Sequence, residues 1–118
     1  NIPEAGEITG MEIKDIDDMR RAAERIQALG PEHVIITGGH MVDSAVDVHY
    51  DGENFFVYRA KKKKGWYHGT GCVFSAAITA QIALGRDVGD AVKRAKDLVR
   101  KAIENNIRIG KGMSLLNF

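Results

Sequence analysis

YHGTGCVFSAAITAQIALG, Tyr67 to Gly85, sets two glycines and the chain's only cysteine in front of a run of almost wholly apolar residues at helical length. The run reads as a helix from Cys72 to Leu84 that is apolar on nearly every side and ends at Gly85. A helix of that composition is expected to be buried. The first backbone N–H groups of a helix have no intrahelical partner, and the helix dipole adds partial positive charge there, so its start is a natural anion cradle. Gly69 and Gly71 leave that start sterically open, and the Thr70 hydroxyl adds a donor. The same field favours negative charge on the Cys72 sulfur. From spacing alone a second reading stands beside this one: a tight loop feeding a buried helix, with Cys72 as a small core hydrophobe.

Working outward, Val88 to Asn105 repeats apolar residues at Val88, Ala91, Val92, Ala95, Leu98, Val99, Ala102 and Ile103, which predicts a second carboxy-terminal helix. Upstream, Val46, Val48 and Tyr50 alternate with Asp47 and His49, Asp51-Gly52 supplies a tight turn, and FFVYRA (55–60) returns as the partner of a β-hairpin. HVIITGG (33–39) places three consecutive β-branched residues before two glycines, the pattern of an interior strand with parallel neighbours that opens into a loop. Ile16, Met19, Ala23, Ile26 and Leu29 form one face of an amphipathic helix, with Asp15 as N-cap and Gly30-Pro31 as its stop. The predicted order is helix, strand, hairpin, helix, helix.

Composition narrows the function. With 118 residues, 44% hydrophobic and 28% charged, the chain fits one globular domain over residues 1–118. A formal charge of +1 gives no global field for nucleic acid or acidic membranes. The lysine run 61–64 is short and reads as a solvated loop beside a sheet edge. One cysteine, no long apolar run and no leader pattern predict a reduced, cytoplasmic setting without membrane or nucleic-acid partners. The histidines His33, His40, His49 and His68 are scattered, which makes a structural zinc site a poor reading. His68 suits a loop-fixing hydrogen bond, His40 a place near nucleotide, and Trp66 and Tyr67 an anchor for the loop.

HGTGCVFSAAITAQIALG, with AVKRAK (91–96) soon after it, closely resembles the anion-hole segment of the ribokinase-like superfamily as found in hydroxymethylpyrimidine (phosphate) kinases of thiamine biosynthesis. Other segments agree in the family's order. NIPEAGEITG (1–10) resembles its Asn-Pro-rich strand exit, DMRRAAERIQALGPEHVIITGGH (18–40) its helix-strand unit, and AVDVHYDGE (45–53) its hairpin. The resemblance covers essentially the whole chain. It implies the carboxy-terminal half of a three-layer α/β fold, with an interior parallel strand, a β-hairpin and two carboxy-terminal helices.

The resemblance also implies roles. Gly69, Thr70 and Gly71 would stabilise charge on a transferred phosphoryl group, and Cys72 would occupy the catalytic-base position, where many relatives carry aspartate. Thr37, Gly38 and Gly39 would lie at the nucleotide site, although the hydroxymethylpyrimidine branch usually carries lysine where this chain has Thr37. Asn1 and Glu4 match an Asn-x-x-Glu element in which the carboxylate helps hold Mg²⁺, usually through water; the same residues also suit the entry to a helix. ATP, Mg²⁺ and a small pyrimidine are the implied ligands. Homo-oligomerisation, or association with the amino-terminal half that family members carry, is the implied assembly. A pyridoxal kinase of the same superfamily and a non-catalytic phosphate- or nucleotide-binding fragment stand as alternatives.

Overall fold

The structure, a computed structural model, describes residues 1–39, 44–61, 65 and 67–118. The expectations for His40, for lysines 62–64 and for Trp66 lie outside these residues. The chain divides into two compact units, Asn1–Lys62 and Lys63–Phe118.

The first unit begins with α1 (Ile2–Thr9) and α2 (Ile16–Gln27), followed by β1 (Val34–Gly38), β2 (Ser44–Tyr50) and β3 (Phe55–Lys61). The strands form a three-stranded sheet in the order β1-β2-β3. Both ladders are antiparallel, with Val34 opposite Tyr50 and Gly38 opposite Val46 in one, and Val48 opposite Val57 in the other. Met19, Ala22 and Ala23 of α2, with Ala5 of α1, pack on Val34, Ile36 and Val48 as one core cluster. Alanines on the helices bring their backbones close to the sheet, and Met19 fills the remaining gap. Asp15 caps α2 by accepting from the Asp18 amide at 2.8 Å. The Asp18 carboxylate accepts the Lys14 amide at 2.9 Å and pairs with Arg21, and the Lys14 hydrogen bond leads in holding it below the usual carboxylate range.

The expected parallel pairing is not seen for β1 within this chain: its strand partner among the described residues is β2, antiparallel, and its other edge carries no described strand. The reason is connection length: only residues 39–43 separate β1 from β2, whereas a parallel crossover takes about a dozen residues or more. The burial of β1 accordingly alternates along the strand. The hairpin stands where expected, Asp51 closing its turn by accepting from the amides of Glu53 and Asn54 at 2.9 and 2.6 Å.

The second unit holds β4 (Tyr67–His68), α3 (Thr70–Ala83), α4 (Val88–Glu104) and β5 (Ser114–Leu115). Phe74 and Ile78 of α3 are buried, as are Ala91, Val92, Ala95 and Ala102 of α4, and the two helices pack together. Asp87 caps α4 through the Asp90 amide. Along α4, Arg94 reaches back to Asp90 at 2.8 Å and Arg100 forward to Glu104 at 3.1 Å, pairs at one-turn spacing that keep the outer face polar. The expectation that α3 is buried on nearly every side does not hold within this chain. Cys72, Ala76, Ala80, Ile82, Ala83 and Leu84 are exposed. An apolar composition marks a surface that favours burial; whether anything covers it depends on what else is present.

Candidate functional site

The turn before α3 is fixed from below. β4 pairs in parallel with β5, Tyr67 opposite Ser114 and His68 opposite Leu115. Leu115 also exchanges backbone hydrogen bonds with Ile107 at 3.0 and 2.8 Å, and the Asn117 amide donates to Ala102 of α4 at 3.3 Å. The carboxy-terminal segment therefore anchors the two residues that lead directly into Gly69. His68, expected to fix the loop by a side-chain hydrogen bond, contributes through this backbone ladder and its side chain is exposed.

Gly69 is the N-cap of α3, with φ 89 and ψ 1, a left-handed conformation that favours glycine. Among the described residues no side chain caps the helix. The Val73 amide closes the first helical turn on the Gly69 carbonyl at 2.9 Å, which leaves the amides of Thr70, Gly71 and Cys72 as the unpaired donors at the helix start. A Cβ placed on Gly69 or on Gly71 would meet nothing within 4 Å. The glycines leave room beside this positive end of a 14-residue helix, where backbone N–H groups favour an oxygen-rich anion. Cys72 is a free, exposed thiol in that first turn, and its carbonyl accepts the Ser75 hydroxyl at 3.1 Å. Within this chain Cys72 is therefore not part of a core. Gly69, Thr70, Gly71 and Cys72 are brought together as expected from their adjacency.

Thr37, Gly38 and Gly39 lie at the end of β1 in the first unit. Gly38 is buried, and a Cβ there would stand 2.2 Å from the Val46 carbonyl oxygen, so the strand can pass this close to β2 only with glycine. Its amide donates to the Asp47 carboxylate at 3.2 Å. Gly39 is exposed, and a Cβ there meets nothing within 4 Å. Asp47 was visible in the sequence only as a polar position in an alternating strand. Its link to Gly38 needed the register.

Asn1 and Glu4 form a capping box. Asn1 accepts the Glu4 amide at 3.0 Å, and the Glu4 carboxylate accepts from the Asn1 backbone nitrogen at 2.8 Å. The stretch likened to a strand exit is therefore a helix start, with Pro3 in its first turn. Among the described residues no group of three or more His, Cys, Asp or Glu side chains is placed to hold a metal ion. The exposed Glu4 carboxylate fits a cation held through water better than one gripped directly.

A model of the phosphomethylpyrimidine kinase family matches residues 1–117. The chain belongs to that family. It is 41% identical over 120 residues to a hydroxymethylpyrimidine/phosphomethylpyrimidine kinase of Aquifex aeolicus, covering 100% of this chain and 47% of that protein. It is 43% identical over 115 residues to a pyridoxine kinase of Bacillus subtilis, covering 94% of this chain and 42% of that protein. Among solved structures, the pyridoxal kinase from Staphylococcus aureus in complex with AMP-PCP superposes with a TM-score of 0.94 at 36% identity, over 98% of this chain and 44% of that one. The chain thus spans less than half the length of the relatives it matches. The fold is that of the ribokinase-like kinases, in partial extent. No helix among the described residues is long and apolar enough to cross a membrane.

Proposed function

We propose that this chain is the carboxy-terminal half, one domain over residues 1–118, of a cytoplasmic kinase that transfers a phosphoryl group from ATP to hydroxymethylpyrimidine or its monophosphate in thiamine biosynthesis. The observation that carries the reading is the start of α3: unpaired amides at Thr70, Gly71 and Cys72, open at both glycines, with an exposed thiol in the same turn. Phosphoryl transfer asks little of a protein beyond positioning and charge stabilisation, and fixed backbone donors supply the second without reorganising. Gly69, Thr70 and Gly71 cradle the transferred group. Cys72 takes or steers the proton of the substrate hydroxyl at its sulfur. Thr37, Gly38 and Gly39 contact the nucleotide. Glu4, oriented by Asn1, holds Mg²⁺ through water. When bound, that cation neutralises charge on the ATP phosphates. The assembly in this reading is with the remainder of the parent protein or with further copies, and no nucleic acid is involved.

A second reading, a pyridoxal kinase, draws support from the Bacillus pyridoxine kinase and the Staphylococcus pyridoxal kinase structure, both as similar to this chain as the pyrimidine kinases are. Pyridoxal and the pyrimidine are both flat heteroaromatic rings bearing a hydroxymethyl group. Coupled ATP-turnover assays of the parent protein on each substrate separate the two. Faster turnover with the pyrimidine is expected, and the reverse order moves the assignment to pyridoxal. The 118-residue chain alone should turn over neither, because the acceptor pocket is assigned to the rest of the parent, and holding two reactants together is worth about 7–11 kcal/mol of barrier. Turnover by the chain alone would refute its status as a half.

A further inference from the structure

Asp47 is a buried carboxylate that the proposed reaction leaves without a task. It lies in the middle of β2 and is 7% exposed. Thr37 stands directly across from it on β1 and Tyr58 on β3. Taking a carboxyl group out of water is costly, and an apolar side chain would pack at such a position without that cost. The carboxylate accepts the last amide of β1, the Gly38 N–H, at 3.2 Å. Gly38 is at the same time pressed so closely on the Val46 carbonyl that no side chain fits. The end of β1 is therefore held twice, by contact with the β2 backbone and by a latch from the β2 side chain. The latch acts on the residue between Thr37 and Gly39.

We infer that Asp47 is a positioning residue for nucleotide binding: it touches no nucleotide, and fixes the Gly38 backbone so that Thr37 to Gly39 present a preformed surface to it. The inference rests on the nucleotide role proposed above for those residues. The Gly38 amide needs an acceptor oxygen opposite it, so asparagine, whose amide carbonyl can occupy that place, substitutes for aspartate in this bond, and alanine does not.

The test uses the parent protein with ADP as probe, read by calorimetric titration, together with hydrogen exchange at the Gly38 amide. D47A should speed Gly38 exchange and raise the ADP Kd by about tenfold, the loss of one hydrogen bond to a charged group, and leave the KM for the pyrimidine unchanged. D47N should restore slow exchange and the original Kd. If D47A binds ADP as the unsubstituted protein does, or if a folded D47N binds as weakly as D47A, the latch is overturned. G39V, at a position where a Cβ meets nothing within 4 Å, separates this from the parent reading once shown to be folded. Weakened ADP binding in G39V with unchanged binding in D47A removes the role of Asp47 alone, whereas unchanged binding in G39V removes the nucleotide role itself and the inference with it.

Discussion

His49 is 2% exposed, and its Nε2 lies 3.1 Å from Nδ1 of His33. Its ring stacks on Phe56 with centroids 5.4 Å apart, and its own Nδ1 is buried without a hydrogen-bond partner among the described residues. Only one proton fits between the facing nitrogens. A doubly protonated pair would set two donors and two charges against each other. Burial, then the neighbouring His33, holds His49 below the ordinary histidine range, with Asp51 partly opposing the shift. The unfolded chain therefore binds more protons than the folded one once pH falls below about 6.5, and stability declines with falling pH by at most about 1.4 kcal/mol per unit, being fully present above that value. Denaturant titrations at about pH 7.5 and about pH 5.5 should show this loss, and His49→Phe should reduce it. An unchanged loss in the variant would mean that His49 does not carry it. Sequence spacing gave no sign of this pair, which exists because the β1–β2 register places His33 diagonally across from His49.

Among the elements, α2, the hairpin and α4 were legible because each carries a strong period and a cap: Asp15 before α2, Asp51-Gly52 within the hairpin, Asp87 before α4. α1 was legible only at its entry, where Asn1 and Glu4 suited the start of a helix; it is eight residues long and carries Pro3 and Gly6, too little for a clear period. β4 and β5 are two residues each, too short for any periodicity. The antiparallel pairing of β1 with β2 was legible in the short 39–43 connection, while the apolar run of β1 speaks only of its faces. For α3 the start was readable in detail and the surroundings were not. A sharper check on that start is Gly71→Ala. Gly71 has no left-handed φ and no neighbour within 4 Å of a Cβ, and alanine is the better helix former by up to about 1 kcal/mol, so the melting temperature should hold or rise. If the added methyl keeps the phosphoryl group from the amides, as the proposed role of Gly71 requires, phosphoryl transfer by the parent should fall by roughly 10²-fold, the scale of losing one charge-stabilising donor. Full activity in a stabilised G71A protein would show that the open face at Gly71 has no part in the reaction.

At the scale of the whole molecule, the family was legible because one contiguous segment, residues 68–85, carries its signature, and contiguous motifs survive in a chain that spans less than half of its relatives. What depends on parts brought together from elsewhere was not legible: the identity of the acceptor, and the cover for apolar side chains such as Leu84 and Phe118, which are 73% and 71% exposed. The central claim is that the turn at the start of α3 performs phosphoryl transfer with Cys72 as its proton acceptor. Cys72 is exposed, so its replacement removes a functional group without opening a cavity. The most direct measurement is the single-turnover rate of phosphoryl transfer from ATP by the parent protein carrying Cys72→Ala, with ADP affinity measured alongside. The rate should fall by roughly 10²- to 10⁴-fold, the range for loss of a general base, with ADP binding unchanged. A rate equal to that of the unsubstituted protein would contradict the account.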